Sequence, residues 1–328
     1  MSVSPSPGIL FALACDGTGG ATSLADAETI SRELRNPQLC WVHLDVNADE
    51  ARTWLEREIT YLDAIIRDAL LAEETRPRSL VFQNGILLIL RGVNPHPGAD
   101  PEDMISIRLW IDADRIISLE RRPLPAVYEI ADLLRAGRGP KNAGDFLVAL
   151  VDRLTERLEP VITALDDATD SIEEQVMERP TPTERQPIVD IRRRAIVFRR
   201  HLLPQRDVIA HLRLSDQLWL DANHRRHLQE NYDSLQRAVE EIDTIRERAQ
   251  IVKDELTNTL ADRLNRNLYM LSVVAAIFLP LSFLTGLLGI NIGGIPGANN
   301  PEAFWAFLGF LAVLVLCEVS LFKWLKWF

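Results

Sequence analysis

The sequence predicts a water-soluble α/β domain joined to a long helical stalk that continues into a two-span transmembrane hairpin. Three observations lead to that reading. Charged residues make up 25 % of the 328-residue chain, yet they lie almost entirely before residue 267. Beyond that point two runs, 268–290 and 303–322, are long and apolar enough to cross a bilayer, which takes about 20 residues of helix. Ahead of them, apolar residues recur at alternating steps of three and four, the spacing of a helix packed along one seam.

The chain opens on an apolar run at 8–15 (GILFALAC), followed by the turn Asp16-Gly17-Thr18-Gly19-Gly20. With no Lys or Arg ahead of it and only about eight residues of apolar core, it reads as a first β-strand rather than a secretory signal. Further strand-like runs lie at 40–45, 80–82, 86–90, 105–111 and 115–119, and helical patterns at 48–59 and 126–136. A mixed sheet with helices on its faces is the expected architecture of residues 1–143. The domain carries no Walker loop, nucleophile elbow or dinucleotide fingerprint, and the glycines at 17, 19 and 20 lack phosphate-loop spacing. No catalytic constellation is present, and an enzyme is not expected.

Residues 144–220 read as a helical hairpin. One helix runs to about residue 178, and Arg179-Pro180-Thr181-Pro182-Thr183 breaks it, with Thr183 placed to cap the next. That helix spans about 184–214 and should be interrupted or kinked at Pro204. A bend at 215–221 precedes the last soluble helix. There Leu235, Ala238, Ile242, Ile245, Ala249, Val252 and Leu256 form the seam. Nothing stops this helix before the membrane, so 221–290 is expected to be continuous and roughly 100 Å long at 1.5 Å per residue. A helix of that length needs partners along its seam, from the preceding helices, from other copies of the chain, or both.

Residues 268–290 hold no charge, and Pro280 is tolerable in a membrane helix where neighbours satisfy the freed carbonyl. The second run, 303–322, holds one charge, Glu318. Arg263 and Arg266 precede the first span, Lys323 and Lys326 follow the second, and the connecting loop 291–302 has neither Lys nor Arg. Positive residues stay inside, so both termini and the tail 323–328 are expected in the cytoplasm and the loop outside. Tyr269, Trp305, Trp324 and Trp327 lie near the span ends, where amphipathic rings favour the headgroups. Two helices cannot enclose an aqueous pore. Either several copies surround an axis, or the hairpin only anchors the soluble domain.

The formal net charge of −11 excludes a nucleic-acid binder as the natural reading, and an acidic surface concentrates cations. Three scattered cysteines, Cys15, Cys40 and Cys317, form neither a disulfide framework nor a zinc ribbon. If the first span lines an axis, helical projection gathers Asn265, Leu268, Ser272, Ala275, Leu279, Ser282 and Gly286 within roughly 100°. That face could serve as a pore with hydrophobic constrictions, or as a close-packing surface of small residues.

Gly289-Ile290-Asn291 follows the first span directly. A Gly-x-Asn signature at this place resembles the CorA superfamily of metal-ion transporters, which typically has Met in the middle. Ile there, with Ile292-Gly293-Gly294-Ile295-Pro296-Gly297 after it, looks like the zinc-transporting ZntB branch. The stretch Ile277-Phe278-Leu279-Pro280-Leu281-Ser282-Phe283-Leu284-Thr285-Gly286 is similar to the family's pore helix. Thr75-Arg76-Pro77-Arg78 and Pro204-Gln205-Arg206-Asp207-Val208 resemble soluble-domain stretches of the family.

The resemblance implies a homopentameric funnel in the inner membrane, with five first spans on the axis and the second spans around them. It implies transport of divalent cations without a resident cofactor: zinc uptake coupled to protons, or alternatively a magnesium and cobalt channel, or zinc efflux. Asn291 would stand at the outer mouth and offer carbonyl oxygens to a hydrated cation. Stripped zinc prefers Cys and His, yet the first span and loop hold neither, so the ion should stay largely hydrated. His224 and His227, at i and i+3, could hold zinc or a proton, but read first as solvated stalk histidines. Glu318, a carboxylate inside a span, is a candidate proton or ion-pair site.

Overall fold

The computed structural model describes residues 8–73, 76–290, 295, 297 and 300–324. Seven strands form one sheet: β1 (Ile9–Cys15), β2 (Ala21–Ser23), β3 (Cys40–Asp45), β4 (Arg78–Val81), β5 (Gly85–Gly92), β6 (Ile105–Asp112) and β7 (Arg115–Glu120), in the order β2-β1-β3-β7-β6-β5-β4. All neighbours are antiparallel except β3 and β7, which pair in parallel from Cys40↔Arg115 to Asp45↔Glu120. The central strands β3, β5, β6 and β7 are buried along almost their whole length on both faces, with His43, Arg108, Ser118 and Glu120 as polar groups enclosed among apolar neighbours.

Helices α1 (Ala27–Glu33), α2 (Asp49–Glu58) and α3 (Ala64–Leu71) cover one face. Ile30, Trp54, Leu55, Ile66 and Leu70 pack there with Val42, Leu87, Trp110 and Leu119 of the sheet. The sequence patterns of α1 and α3 are too short to register as helical periods, but Asp26 and Asp63 cap them through Thr29 N and Ile65 N. Helices α4 (Pro125–Arg135) and α5 (Ala143–Glu156) cover the other face. There Trp41 meets Phe146 edge-on at 4.7 Å, and Phe11 faces Tyr128.

The segment expected as one helix to residue 178 is two, α5 and α6 (Glu159–Glu178), divided at Arg157 and Leu158. Pro160 is the cause. Its ring fits the first turn of a helix and not an interior. Thr183 is not a cap: a 3₁₀ turn occupies Pro182–Glu184, and α7 (Arg185–Arg213) begins after it. Pro204 does not interrupt α7, which runs on as one helix. Helix α8 (Ala222–Leu288) follows, and α9 (Ala303–Trp324) closes the described chain.

Two compact units divide the chain. The first is residues 1–179 and 183–253, the second 180–182 and 254–328. Within the first unit the seam of α8 is buried: Leu235, Ile242, Ile245 and Ala249 are fully enclosed. Polar fasteners flank the seam. Arg199 Nε donates to Asp243 at 2.7 Å and Arg206 to Gln236 at 2.9 Å, both from α7. Arg248 reaches Asp166, Asp170 and Glu173 of α6. Asn231 donates to Asp152 of α5.

Cys15 and Cys40 lie on paired strands but point to opposite faces, because Ala14, not Cys15, stands opposite Cys40. Burial pushes both thiols up to about 12. In the folded protein at pH 8, iodoacetamide should label these two residues about a thousandfold more slowly than in the unfolded chain. Peptide mass spectrometry at timed points checks this.

Candidate functional site

The membrane-directed residues belong to the second unit. Both the C-terminal part of α8 and α9 are long and apolar enough to cross a bilayer, and almost none of their apolar stretch is buried by the chain itself. Val273 is buried, and Ala276, Ile277, Pro280, Leu281 and Leu284 are half-covered, so one stripe of the first span is sheltered. On α9 the matching stripe is Ala303, Phe307, Leu311, Leu314, Val315, Glu318, Val319 and Phe322. The candidate pore-lining residues Asn265, Leu268, Ser272, Ala275, Leu279, Ser282 and Gly286 are all exposed. At about 100° per residue they occupy roughly the opposite side of the helix from the sheltered stripe.

The oxygen chemistry on that face is sparse. On it Ser272 donates to Leu268 O at 2.8 Å; Thr285, about 110° round the helix from the centre of that face, donates to Leu281 O at 2.9 Å. Their hydroxyl protons are thus spent on the helix, and what remains toward solvent is lone pairs. Such oxygens suit a cation still wearing its water better than a stripped one. The helix ends where Gly289 N donates back to Thr285 O at 2.9 Å and to Gly286 O at 3.2 Å. A Cβ at 289 would meet Thr285 O at 3.0 Å, so glycine lets the last turn close this tightly. Gly289 and Ile290 are exposed at this terminus. Asn291, the third member of the signature, lies outside the described residues, as do Thr75, Ile292, Gly293, Gly294, Pro296, Lys326 and Trp327.

Glu318 sits on the sheltered stripe of α9. Its Oε2 is buried without a hydrogen-bond partner. An unpaired carboxylate oxygen inside an apolar span is costly, so this residue is a functional candidate within the second unit.

His224 and His227 do not come together. His227 is exposed and His224 is buried, correcting the expectation that both are solvated. The imidazole is held between two carboxylates: Nε2 is 2.9 Å from Asp145 Oδ1, and Nδ1 is 3.0 Å from Asp221 Oδ1. Asp221 N lies 3.1 Å from the same Nδ1. Asp221 in turn caps α8 through Asn223 N and His224 N, whose hydrogen bonds hold its carboxyl below the usual range. The partner Asp145 is 79 residues away, which is why sequence spacing could not find it. His224 is a fastener between the first turns of α5 and α8. Among the described residues no group of three or more His, Cys, Asp or Glu is placed to hold a metal ion.

A second buried polar chain was also invisible in sequence. Trp41 Nε1 donates to Ser118 Oγ at 2.7 Å, Ser118 Oγ stands 2.8 Å from His43 Nδ1, and His43 Nε2 stands 3.3 Å from Glu120 Oε2. Tyr128 OH donates to the other Glu120 oxygen, and Leu124 N donates to Oε2 at the start of α4. Serine, histidine and glutamate are the residue types of a nucleophilic triad. Here, however, the hydroxyl is fully buried and bracketed by Trp41 and His43, so the chain acts as a structural tie between sheet and α4.

Residues 36–323 match the family model described as "CorA-like Mg2+ transporter protein". A divalent cation transporter named CmaX from Pseudomonas aeruginosa is 38 % identical over 97 % of this chain and 94 % of its own length. A zinc transport protein named ZntB from Yersinia enterocolitica is 34 % identical over 97 % of this chain and 95 % of its own. Among solved structures, full-length CmaX superposes with a TM-score of 0.84 at 37 % identity, covering 98 % of this chain and 99 % of that one. The CorA magnesium transporter of Methanocaldococcus jannaschii, at 18 % identity, shares the fold with a TM-score of 0.78 over 96 % of this chain and 98 % of that one.

The His224 fastener predicts a steric test. A Cβ at Gly144 would stand 2.6 Å from His224 Cε1 and 2.7 Å from the backbone oxygen of Trp219. Gly144→Ala should destabilise the protein by about 1–3 kcal/mol, the usual cost of overpacking. Calorimetry of the purified full chain reads this as a lowered first transition.

Proposed function

The chain belongs to the CorA family of metal-ion transporters, and from that premise we propose that it carries zinc inward through the axis of a homopentamer, coupled to protons. Divalent-cation transport is the family's activity. The choice of zinc is supported by the curated ZntB relatives, whose names state that ion. The observation that carries the pore reading is the exposed face of the first span, from Asn265 to Gly286, turned away from the sheltered stripe and leading to Gly289-Ile290-Asn291.

In this reading five first spans present that face to the axis, with the second spans outside them. Leu268 and Leu279 form narrow apolar rings, where passage is gated by wetting. Asn291 forms the outer ring and orders the water of the incoming ion without a full charge that would trap it. Glu318 carries the coupled proton, since an apolar setting without a hydrogen-bond partner favours a carboxyl that exchanges one. Both termini and residues 1–143, 144–220 and the start of 221–290 lie in the cytoplasm of an inner-membrane protein, with 291–302 outside.

A second reading, a broader divalent-cation channel without proton coupling, is favoured by one observation: the candidate face offers neither thiol nor imidazole to select zinc. Flux into liposomes separates the two. Zinc entry should rise with an inward proton gradient, and Glu318→Gln should abolish that gradient-dependent part. Asn291→Ala should slow zinc entry about tenfold, equivalent to about 1.4 kcal/mol at the rate-limiting barrier. Magnesium entry indifferent to the gradient would establish the second reading instead.

Cysteine substitution tests the pore face independently of coupling. In a Cys317→Ser background, Ala275→Cys should react with a water-soluble methanethiosulfonate and block flux. Val273→Cys, on the sheltered stripe, should do neither. Equal reactivity at both positions would remove the proposed lining.

A further inference from the structure

The helical part of the soluble unit carries two surfaces of opposite charge. The first is the outer face of α7. Arg185, Val189, Arg192, Ile196 and Arg200 follow one another at steps of four, three, four and four, which keeps them on one side of the helix. All five are exposed, and Val189 and Ile196 leave 39 % and 44 % of their surface in water. Among the described residues these three arginines make no hydrogen bond or ion pair. Arg199 and Arg206 of the same helix are instead spent on Asp243 and Gln236 of α8.

The second surface is an open cleft of about 380 Å³ between α8 and the join of α5 with α6. Glu156 and Glu159 line it from the α5–α6 side, and Glu230 and Glu241 from α8. Buried Leu158, Ile162 and Ala238 give it an apolar floor. Among the described residues none of these four carboxylates has a hydrogen bond or an ion pair. Arg237, the one basic residue in the lining, donates to Ser234. Partial burial, and then the charges of Asp166 and Glu159, hold the Glu241 carboxyl above its usual range. The described acids are not grouped to hold a metal ion, and at about 30 Å³ per water the cleft is far larger than one ion needs. Carboxylates spread over an apolar floor suit a long cationic side chain, whose stem takes apolar cover and whose head takes the charge.

Gln236 and Asp243 hold α7 to one side of α8, whereas Ser234, Ala238 and Glu241 line the cleft. At about 100° per residue the two sets stand roughly 160° apart around the helix, so a chain's own α7 lies away from its own cleft. A patch that recognises a different patch on a second copy makes a head-to-tail contact, and repetition of that contact around an axis closes a ring. We propose that the arginine face of α7 docks in the acidic cleft of a neighbouring copy and joins successive subunits through their soluble units. The guanidinium groups give charge-assisted hydrogen bonds to the unpaired carboxylates. Their stems, with Val189 and Ile196, cover the apolar floor. Opposite charge selects this pairing over contact between two like faces. The inference rests on the oligomeric reading proposed above and adds to it the surface that joins the copies.

Carbodiimide coupling of full-length Arg192→Lys and Arg200→Lys variants in detergent tests the proposal, since the reagent joins an amine to a carboxylate only where the two touch. Light scattering of the untreated protein first reads whether copies associate. Joined copies on a denaturing gel are expected, with the introduced lysine linked by mass spectrometry to a peptide carrying Glu156, Glu159, Glu230 or Glu241. Adding Glu230→Gln and Glu241→Gln should lower the yield of joined copies about tenfold. Arg35→Lys, at an exposed position just after α1, should give no more than the wild-type background. An associated protein whose introduced lysines join to carboxylates outside the cleft, or to none, overturns the docking surface and leaves the oligomeric reading standing. A protein that scatters as a monomer overturns the oligomeric reading and the docking surface with it.

Discussion

The seam of α8 is the interaction on which the rest of the soluble structure depends. Leu235, Ala238, Ile242, Ile245, Ala249 and Val252 give up their water to the helices before them. Each large side chain so buried contributes about 1.5–3 kcal/mol. A helix of 67 residues has no other source of stability on that scale, because intrinsic propensity adds little. The flanking Arg199 and Arg248 pairs are partly exposed and contribute less per contact. Their value is in register. Apolar seams tolerate a shift of one turn, whereas Arg199 with Asp243 and Arg248 with Asp166 fit at one setting.

The seam settles an alternative that periodicity left open. Steps of three and four show that a helix has a sticky face but do not say what covers it. Helices α5, α6 and α7 of the same chain supply the polar contacts on either side of the seam, so this soluble length of α8 needs no second copy. The first span presents a different balance. Its sheltered stripe is narrow and the remaining circumference is apolar and exposed, which only lipid or further copies of the chain can cover.

How much was legible in the sequence follows from the range of each interaction. The long strands β1, β3, β5, β6 and β7, and the helices α7 and α8, announce themselves because apolar period and length are local properties. Helices α1 and α3 do not, being two turns each and held by the sheet beneath them. Pro160 was a local signal that could have divided α5 from α6, had it been read as a helix start. By contrast, the partners of His224 and His43 come from strands and helices far along the chain. A histidine beside arginines in sequence looks solvated; the same residue between Asp145 and Asp221 is buried. The Gly289-Ile290-Asn291 signature was legible as a motif, and the glycine's closing hydrogen bonds give Gly289 a physical reason.

The soluble domain and the proposed pore solve opposite electrostatic problems. A chain of net charge −11 draws cations toward itself at long range, but a conducting face must not hold them. The first span accordingly carries no carboxylate, and its hydroxyls at Ser272 and Thr285 are bonded to their own backbone. In the proposed pore, attraction would reside where binding can be weak and water plentiful, and passage where only dipoles face the ion. In this arrangement selectivity has to come from the cost of reshaping the ion's hydration shell, since no thiolate or imidazole is present to replace it. Zinc and magnesium are both strongly hydrated, so a hydrated pore distinguishes them poorly by itself. A zinc preference would then depend on what drives the ion rather than on what touches it, and Glu318, the carboxylate in the spans with an unpartnered buried oxygen, is the group through which a proton gradient could supply that drive.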